Sequence, residues 1–422
     1  MLKKATLKNG LRIITVPQKN SRTVTFLVLV GNGSKYESKD INGISHFLEH
    51  MFFKGTQNRP NTLAIAETLD KVGGEYNAFT SKEVTGFWAK VDSKHQDLAL
   101  DWLSDIFQNS KLDSKEIERE KGVVIEEMNM YLDTPTAYVG DLWEELLYKD
   151  QPAGWKIIGK KEHVLALNRD KVLDYFASHY SCLNTVICAA GDIKNIEKKI
   201  EKAFNKISKV SPPRKPAVIE EQREPGVLVH FKKTDQTHLC LGVRAYNIFH
   251  KDKYAVKLLA VILGGNMSSR LFISIRERQG LAYYIKTMAD QNPETGFLMT
   301  QAGVDNKNAD RAIESILKEY KRIKEGLITE AELQKAKDYI RGSMSLSLES
   351  SDSQAFFYAG QEIMEKEILT LEQIGERIDQ VKVNDIKKVA EDIFKSDKLN
   401  LALIGPFKEK EKFKEILCKI KL

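Results

Sequence analysis

Cysteine is scarce in this chain: Cys182, Cys188, Cys240 and Cys418 are the only four in 422 residues, and they form no Cys-x-x-Cys pair. That excludes a disulfide-stapled scaffold and a cysteine-based zinc site, and it suits reduced thiols in a reducing compartment. Long apolar runs are missing as well, since none approaches the about 18 residues that a membrane span needs. The basic amino terminus has no apolar stretch behind it and passes straight into the strand-like Leu11-Arg12-Ile13-Ile14-Thr15-Val16. The expectation is a cytoplasmic protein without signal peptide or membrane segment. No excess of one charge exists either. The 65 basic and 59 acidic residues leave a net charge of +6 and are interspersed, so no nucleic-acid footprint is expected. Histidine is also scarce, with 8 in the chain.

Two of those eight stand together in Gly43-Ile44-Ser45-His46-Phe47-Leu48-Glu49-His50-Met51-Phe52-Phe53, which contains His-x-x-Glu-His. On a helix, residues four apart share a face, so both imidazoles point the same way. That is the spacing at which two nitrogens reach one zinc ion at about 2.0–2.1 Å. Glu49 lies near the same face but not between the ligands, where it can hold a water rather than the metal. Phe47, Leu48, Met51, Phe52 and Phe53 are apolar, so the helix is expected to be buried. Unpaired polar groups would be costly there, and a metal gives them partners.

The length suits two or more domains with ample cores. Residues 11–16, 24–30, 75–81, 84–91 and 185–191 read as strands, with helices between them. Four of the ten prolines fall in the polar segment 211–226, which reads as a linker between domain 1–210 and domain 227–422. The second half repeats the first: Leu112–Lys121 resembles Ile328–Lys337 at an offset of 216 residues. The expected architecture is α+β, two similar α/β-layered halves, each an antiparallel-rich sheet packed with helices. In the second half Lys257–Gly265 falls where the His46 helix would be, without its histidines.

A zinc site needs a third protein ligand. The helix expected from Ser114 to about Tyr131 offers Glu116, Glu118, Glu120, Glu126 and Glu127. Glu120 and Glu127 are seven apart and share a face to within about 20°. Val123 and Val124 lie between them, which gives that face a reason to be buried. The corresponding residues of the repeat are Ala336 and Ser343, so the second half lacks these carboxylates too.

The inverted zinc motif together with Glu120-Lys121-Gly122-Val123-Val124-Ile125-Glu126-Glu127-Met128 resembles the inverzincin peptidases, the pitrilysin and insulysin family. The size matches its short bacterial, processing-peptidase-like branch. The resemblance implies His46, His50 and Glu127 as ligands of one Zn2+ per chain, Glu49 as general base, and Glu120 as the carboxylate standing behind the ligands. It implies that Asn77, Ala78 and Phe79 belong to an edge strand that pairs with substrate backbone. It also implies that Arg276 and Tyr283 reach the substrate near the metal. The implied molecule is a zinc endopeptidase acting on peptides or unfolded segments, one half of a clamshell completed as a homodimer or with a paralogue. Two other classes remain beside it. A non-catalytic assembly subunit would lack the motif, which is whole here, and a structural zinc domain would close the site with a fourth protein ligand.

Overall fold

The computed structural model describes residues 2–365 and 367–422. The first half runs β1 (Lys3–Thr6), β2 (Arg12–Pro17), β3 (Thr23–Val30), α1 (Ile44–Met51), α2 (Thr62–Asp70), β4 (Glu75–Thr80), β5 (Thr85–Asp92), α3 (Gln96–Asn109), α4 (Ser114–Leu132), α5 (Pro135–Tyr148), α6 (Lys161–Leu165), α7 (Arg169–His179), β6 (Thr185–Gly191) and α8 (Ile196–Ala203). The second runs β7 (Gly226–Phe231), β8 (Gln236–Arg244), α9 (Lys253–Gly264), β9 (Ala282–Gln291), β10 (Gly296–Asp305), α10 (Ala309–Lys324), α11 (Glu330–Ser347), α12 (Ser351–Met364), α13 (Leu371–Asp379), α14 (Val383–Ile393), β11 (Leu399–Gly405) and α15 (Glu411–Lys419).

The expected α+β halves are present. One sheet has the order β1-β2-β6-β3-β5-β4 and the other β7-β11-β8-β10-β9. Leaving out β1, the two orders are the same, and each sheet has one parallel pair (β2 with β6, β7 with β11) among antiparallel ones. Helix α11 begins at Glu330, 216 residues after Ser114 begins α4, as the repeat requires. Strand β1 has no counterpart in the sequence reading, because its four residues are exposed and carry no apolar alternation.

Both faces of each sheet are covered, which is why the strands read as nearly unbroken apolar runs. Val24, Phe26, Val28 and Val30 of β3 join the core that holds Phe47, Leu48 and Met51 of α1. Leu27 and Leu29 face the other way, against Ala355 and Ala359 of α12. In the second sheet Leu239, Leu241 and Val243 pack with α9 and α10, while Cys240 lies against Val139, Leu142 and Trp143 of α5.

The compact units are therefore not the two consecutive stretches expected on either side of residues 211–226. One comprises Met1–Asn129, Trp155–Pro216 and Leu346–Ile368; the other comprises Met130–Gly154, Ala217–Ser345 and Leu369–Leu422. Each unit takes one helix, α12 or α5, from the other half of the sequence. The periodicity of an amphipathic helix shows that it has an apolar face but not which sheet that face covers. No helix of the described residues is long and apolar enough to cross a membrane.

Candidate metal centre

Helix α1 is only eight residues long, too short to be stable alone in water. Ile44, Phe47, Leu48, Met51 and the following Phe52 are fully buried. At about 1.5–3 kcal/mol for each buried side chain, they supply on the order of 10 kcal/mol to hold it. The Phe52 ring packs edge-on to Phe87 at 4.7 Å and to Phe176 at 5.5 Å. With the apolar side fixed, the remaining side presents His46, Glu49 and His50.

Helix α4 supplies the carboxylates. Its buried ridge is Ile117, Glu120, Lys121 and Val124. Val123, expected on that ridge, is instead 49% exposed. On a 100° helical step it falls on the far side of the Glu120–Glu127 line from Val124. The two carboxylates thus run along the rim between core and solvent, and Glu126 is exposed.

His46, His50 and Glu127 each present one ligand atom, and these atoms lie within 4.8 Å of one another. Glu127 Oε1 is 3.6 Å from His46 Nε2, and Glu127 Oε2 is 3.5 Å from His50 Nε2. Two ligands of a tetrahedral zinc are about 3.3 Å apart, so two imidazole nitrogens and a carboxylate at these separations fit that ion. His50 Nδ1 lies 2.8 Å from Glu120 Oε1, so its N–H donates a hydrogen bond to the carboxylate and Nε2 keeps a free lone pair. His46 Nδ1, by contrast, is buried without a hydrogen-bond partner among the described residues.

Glu120 is buried, and Lys54 Nζ is 2.6 Å from its Oε2. Burial alone would raise the Glu120 pKa, but hydrogen bonds from His50 and Lys54 outweigh it and keep the carboxylate ionised below the usual range. The neighbouring His46 ring lowers the pKa of Glu127 against a smaller effect of burial. Glu49 goes the other way: burial raises it, although the Thr80 hydroxyl donates to its Oε2 at 2.6 Å. The site thus holds two carboxylates biased toward ionisation and one biased toward taking up a proton.

Thr80 ends β4, the edge strand of the first sheet. Asn77, Ala78 and Phe79 stand on this strand, and the Ala78 N–H is met by the Asn77 side chain at 2.8 Å. Arg276 and Tyr283 belong to the other unit. Arg276 lies on a π-helical turn, Phe272–Glu277, with its guanidinium over the Phe272 ring at 4.7 Å. Tyr283 is the extra residue where the β9–β10 register shifts, and it is 74% exposed. Such bulges re-aim one side chain out of the strand alternation. Sequence reasoning singled out neither Lys54 nor Glu37, which accepts from the Gly43 and Ser45 amides, and the only available signal was their nearness to the motif.

Residues 12–161 match the domain described as insulinase, peptidase family M16, and residues 166–340 match the peptidase M16 inactive domain. Among relatives, the uncharacterized zinc protease YmxG of Bacillus subtilis is 37% identical over 96% of this chain and 98% of its own. An uncharacterized zinc protease of Rickettsia bellii is 32% identical over 95% of this chain and 96% of its own. Among solved structures, a protease from Helicobacter pylori superposes with a TM-score of 0.90 at 24% identity, covering 96% of this chain and 99% of that one. A chain of complex III2 from Candida albicans superposes with a TM-score of 0.84 at 19% identity over 99% and 100%. At those identities the two structures speak for the fold alone, whereas the matched domains and relatives speak for descent. The chain belongs to the insulinase family of peptidases, family M16.

Proposed function

We propose that this chain is a zinc-dependent endopeptidase that hydrolyses peptides or unfolded protein segments, with His46, His50 and Glu127 as the metal ligands and Glu49 as the general base. The observation that carries this is the three-ligand cluster with a fourth group, Glu49, beside it and outside it. When bound, zinc supplies Lewis acidity, lowering the pKa of water toward about 7 and polarising a carbonyl. Glu49 takes the proton from the attacking water and returns it to the leaving amine. Its raised pKa, with burial as the main cause, suits both steps. An extended peptide added along β4 at Asn77, Ala78 and Phe79 gains main-chain hydrogen bonds and is led to Thr80, which touches Glu49. That mode of capture gives affinity with loose side-chain selectivity. The test is zinc content after dialysis together with cleavage of a peptide or a denatured protein, before and after chelation. Zinc-free, inactive protein that zinc does not restore would overturn the proposal.

Glu120→Gln tests the brace behind His50. Gln can still accept from Nδ1 but loses the charge that Lys54 and the imidazole share. Zinc affinity or activity is expected to fall about 10–100-fold, less than on loss of a ligand. Unchanged affinity by chelator competition would remove Glu120 from the site.

The same reading extends to assembly. We place Arg276 and Tyr283 in the partner's site within a two-fold homodimer, or a dimer with a paralogue, that encloses a chamber. A Glu49→Gln homodimer and an Arg276→Ala/Tyr283→Phe homodimer should both cleave poorly. Co-refolding them makes half the dimers mixed, each with one intact site of two, so activity should return to about a quarter of wild type. With mixed dimers demonstrated, no recovery would mean that the Arg/Tyr pair acts within its own chain.

A further inference from the structure

Helix α1 begins without the side chain that normally caps a helix. Its N-cap is Gly43, in the left-handed region at φ +102°, and no side chain of that residue can accept from the first turn. Ser, Asp or Asn would ordinarily stand there. Here none fits, because a Cβ on Gly43 would come within 2.6 Å of the Ile158 carbonyl oxygen, quite apart from the strain of the positive φ. The orphan amides of the first turn need an acceptor from elsewhere.

Glu37 provides it. The Gly43 N–H donates to Glu37 Oε2 at 2.8 Å and the Ser45 N–H donates to Oε1 at 2.9 Å. Asn42 Nδ2 donates to the same Oε2 at 2.9 Å and to the Lys156 carbonyl at 3.1 Å. Ser45 is held a second time through its hydroxyl, 2.8 Å from the Tyr175 hydroxyl. Glu37 is only 1% exposed, and burial, the largest influence, pushes its carboxyl up to about 7 despite these hydrogen bonds. An acid whose pKa rises on folding begins to cost stability as pH climbs past its ordinary value of 4.5, and the full cost is reached above about 7, so at neutral pH this placement does not contribute stability through charge.

We infer that Glu37 is a positioning residue for the metal helix: its two oxygens set the rotation and axial position of α1, and thereby aim His46, Glu49 and His50. This rests on the zinc reading above and deepens it. Ser45 is the residue before His46, so the amide that Glu37 Oε1 holds is one peptide from the first ligand. All three functional groups sit within five residues of one short helix, where a small rotation displaces each of them. A ligand misplaced by a fraction of an ångström weakens a metal site whose separations are already 3.5 and 3.6 Å.

The test uses the full chain loaded with zinc or with cobalt(II). Glu37→Gln keeps the size but turns an NH2 group toward one of the donors. Zinc affinity by chelator competition is expected to fall about tenfold or more, and the cobalt d–d absorption band to change shape. Glu37→Asp, which retracts the carboxylate by one methylene, should change both in the same direction and serves where the Gln variant does not fold. Tyr175→Phe, which frees the Ser45 hydroxyl but leaves the carboxylate's bonds in place, should keep zinc affinity within about twofold. A folded Glu37 variant with wild-type affinity and an unchanged cobalt band overturns the inference alone, as does equal weakening by Tyr175→Phe. A wild-type chain that binds neither metal overturns the zinc reading, and this inference with it.

Discussion

Glu49→Gln is expected to retain a full complement of zinc and to lose peptide cleavage. The amide has nearly the same shape and can still accept from Thr80, so the helix and its ligands have no reason to move. It cannot take a proton. Loss of a general base typically costs about 10²–10⁴-fold, and more where the same group also orients the water. The proposed role gives Glu49 both tasks, and the Thr80 hydroxyl fixes its carboxylate from one side. Metal analysis and turnover on the same preparation check the result. Stoichiometric zinc with near wild-type turnover would rule out the assignment, and loss of zinc would make Glu49 a ligand instead.

Glu127→Gln should weaken zinc far more than Glu126→Gln. The neighbours differ by one residue, about 100° of helix. Glu127 lies 3.5–3.6 Å from both imidazole Nε2 atoms, whereas Glu126 is exposed. Replacing the carboxylate by a neutral amide removes the only anionic group of the three proposed ligands, and the deprotonated form is the one a metal binds. We expect Glu127→Gln to emerge from dialysis largely metal-free and inactive, while Glu126→Gln stays within about twofold of wild type on both counts, as exposed substitutions usually do. The reverse order would mean that α4 presents a different face to α1.

Much of the candidate metal centre is legible in the sequence because it is local. Two histidines four apart and a glutamate between them need only a helix to converge, and the apolar residues around them specify which side of it is buried. Two carboxylates seven apart on another helix share a face for the same reason. Even there Val123 misled, since a heptad pair marks a line on the helix but not which flank of that line is core. The repeat of 216 residues likewise implied two like sheets, and apart from β1 both have the same strand order.

What the sequence could not determine depends on chain segments that meet only after folding. Thr80 meets Glu49 across 31 positions, and the meeting of His50 with Glu120 across 70 was implied by the family resemblance but by no spacing along the chain. The exchange of α5 and α12 between the units is of the same kind, because an apolar helix face is satisfied by any sheet of matching shape. The cap of α1 comes from Glu37 rather than from its own first residue because a carbonyl at Ile158 leaves no room for a side chain at Gly43. Spacing along the chain thus determined which groups can act together within one element. Tertiary packing alone decided which groups brace them, since hydrogen bonds and close contacts depend on distance in space, to which sequence separation is no guide.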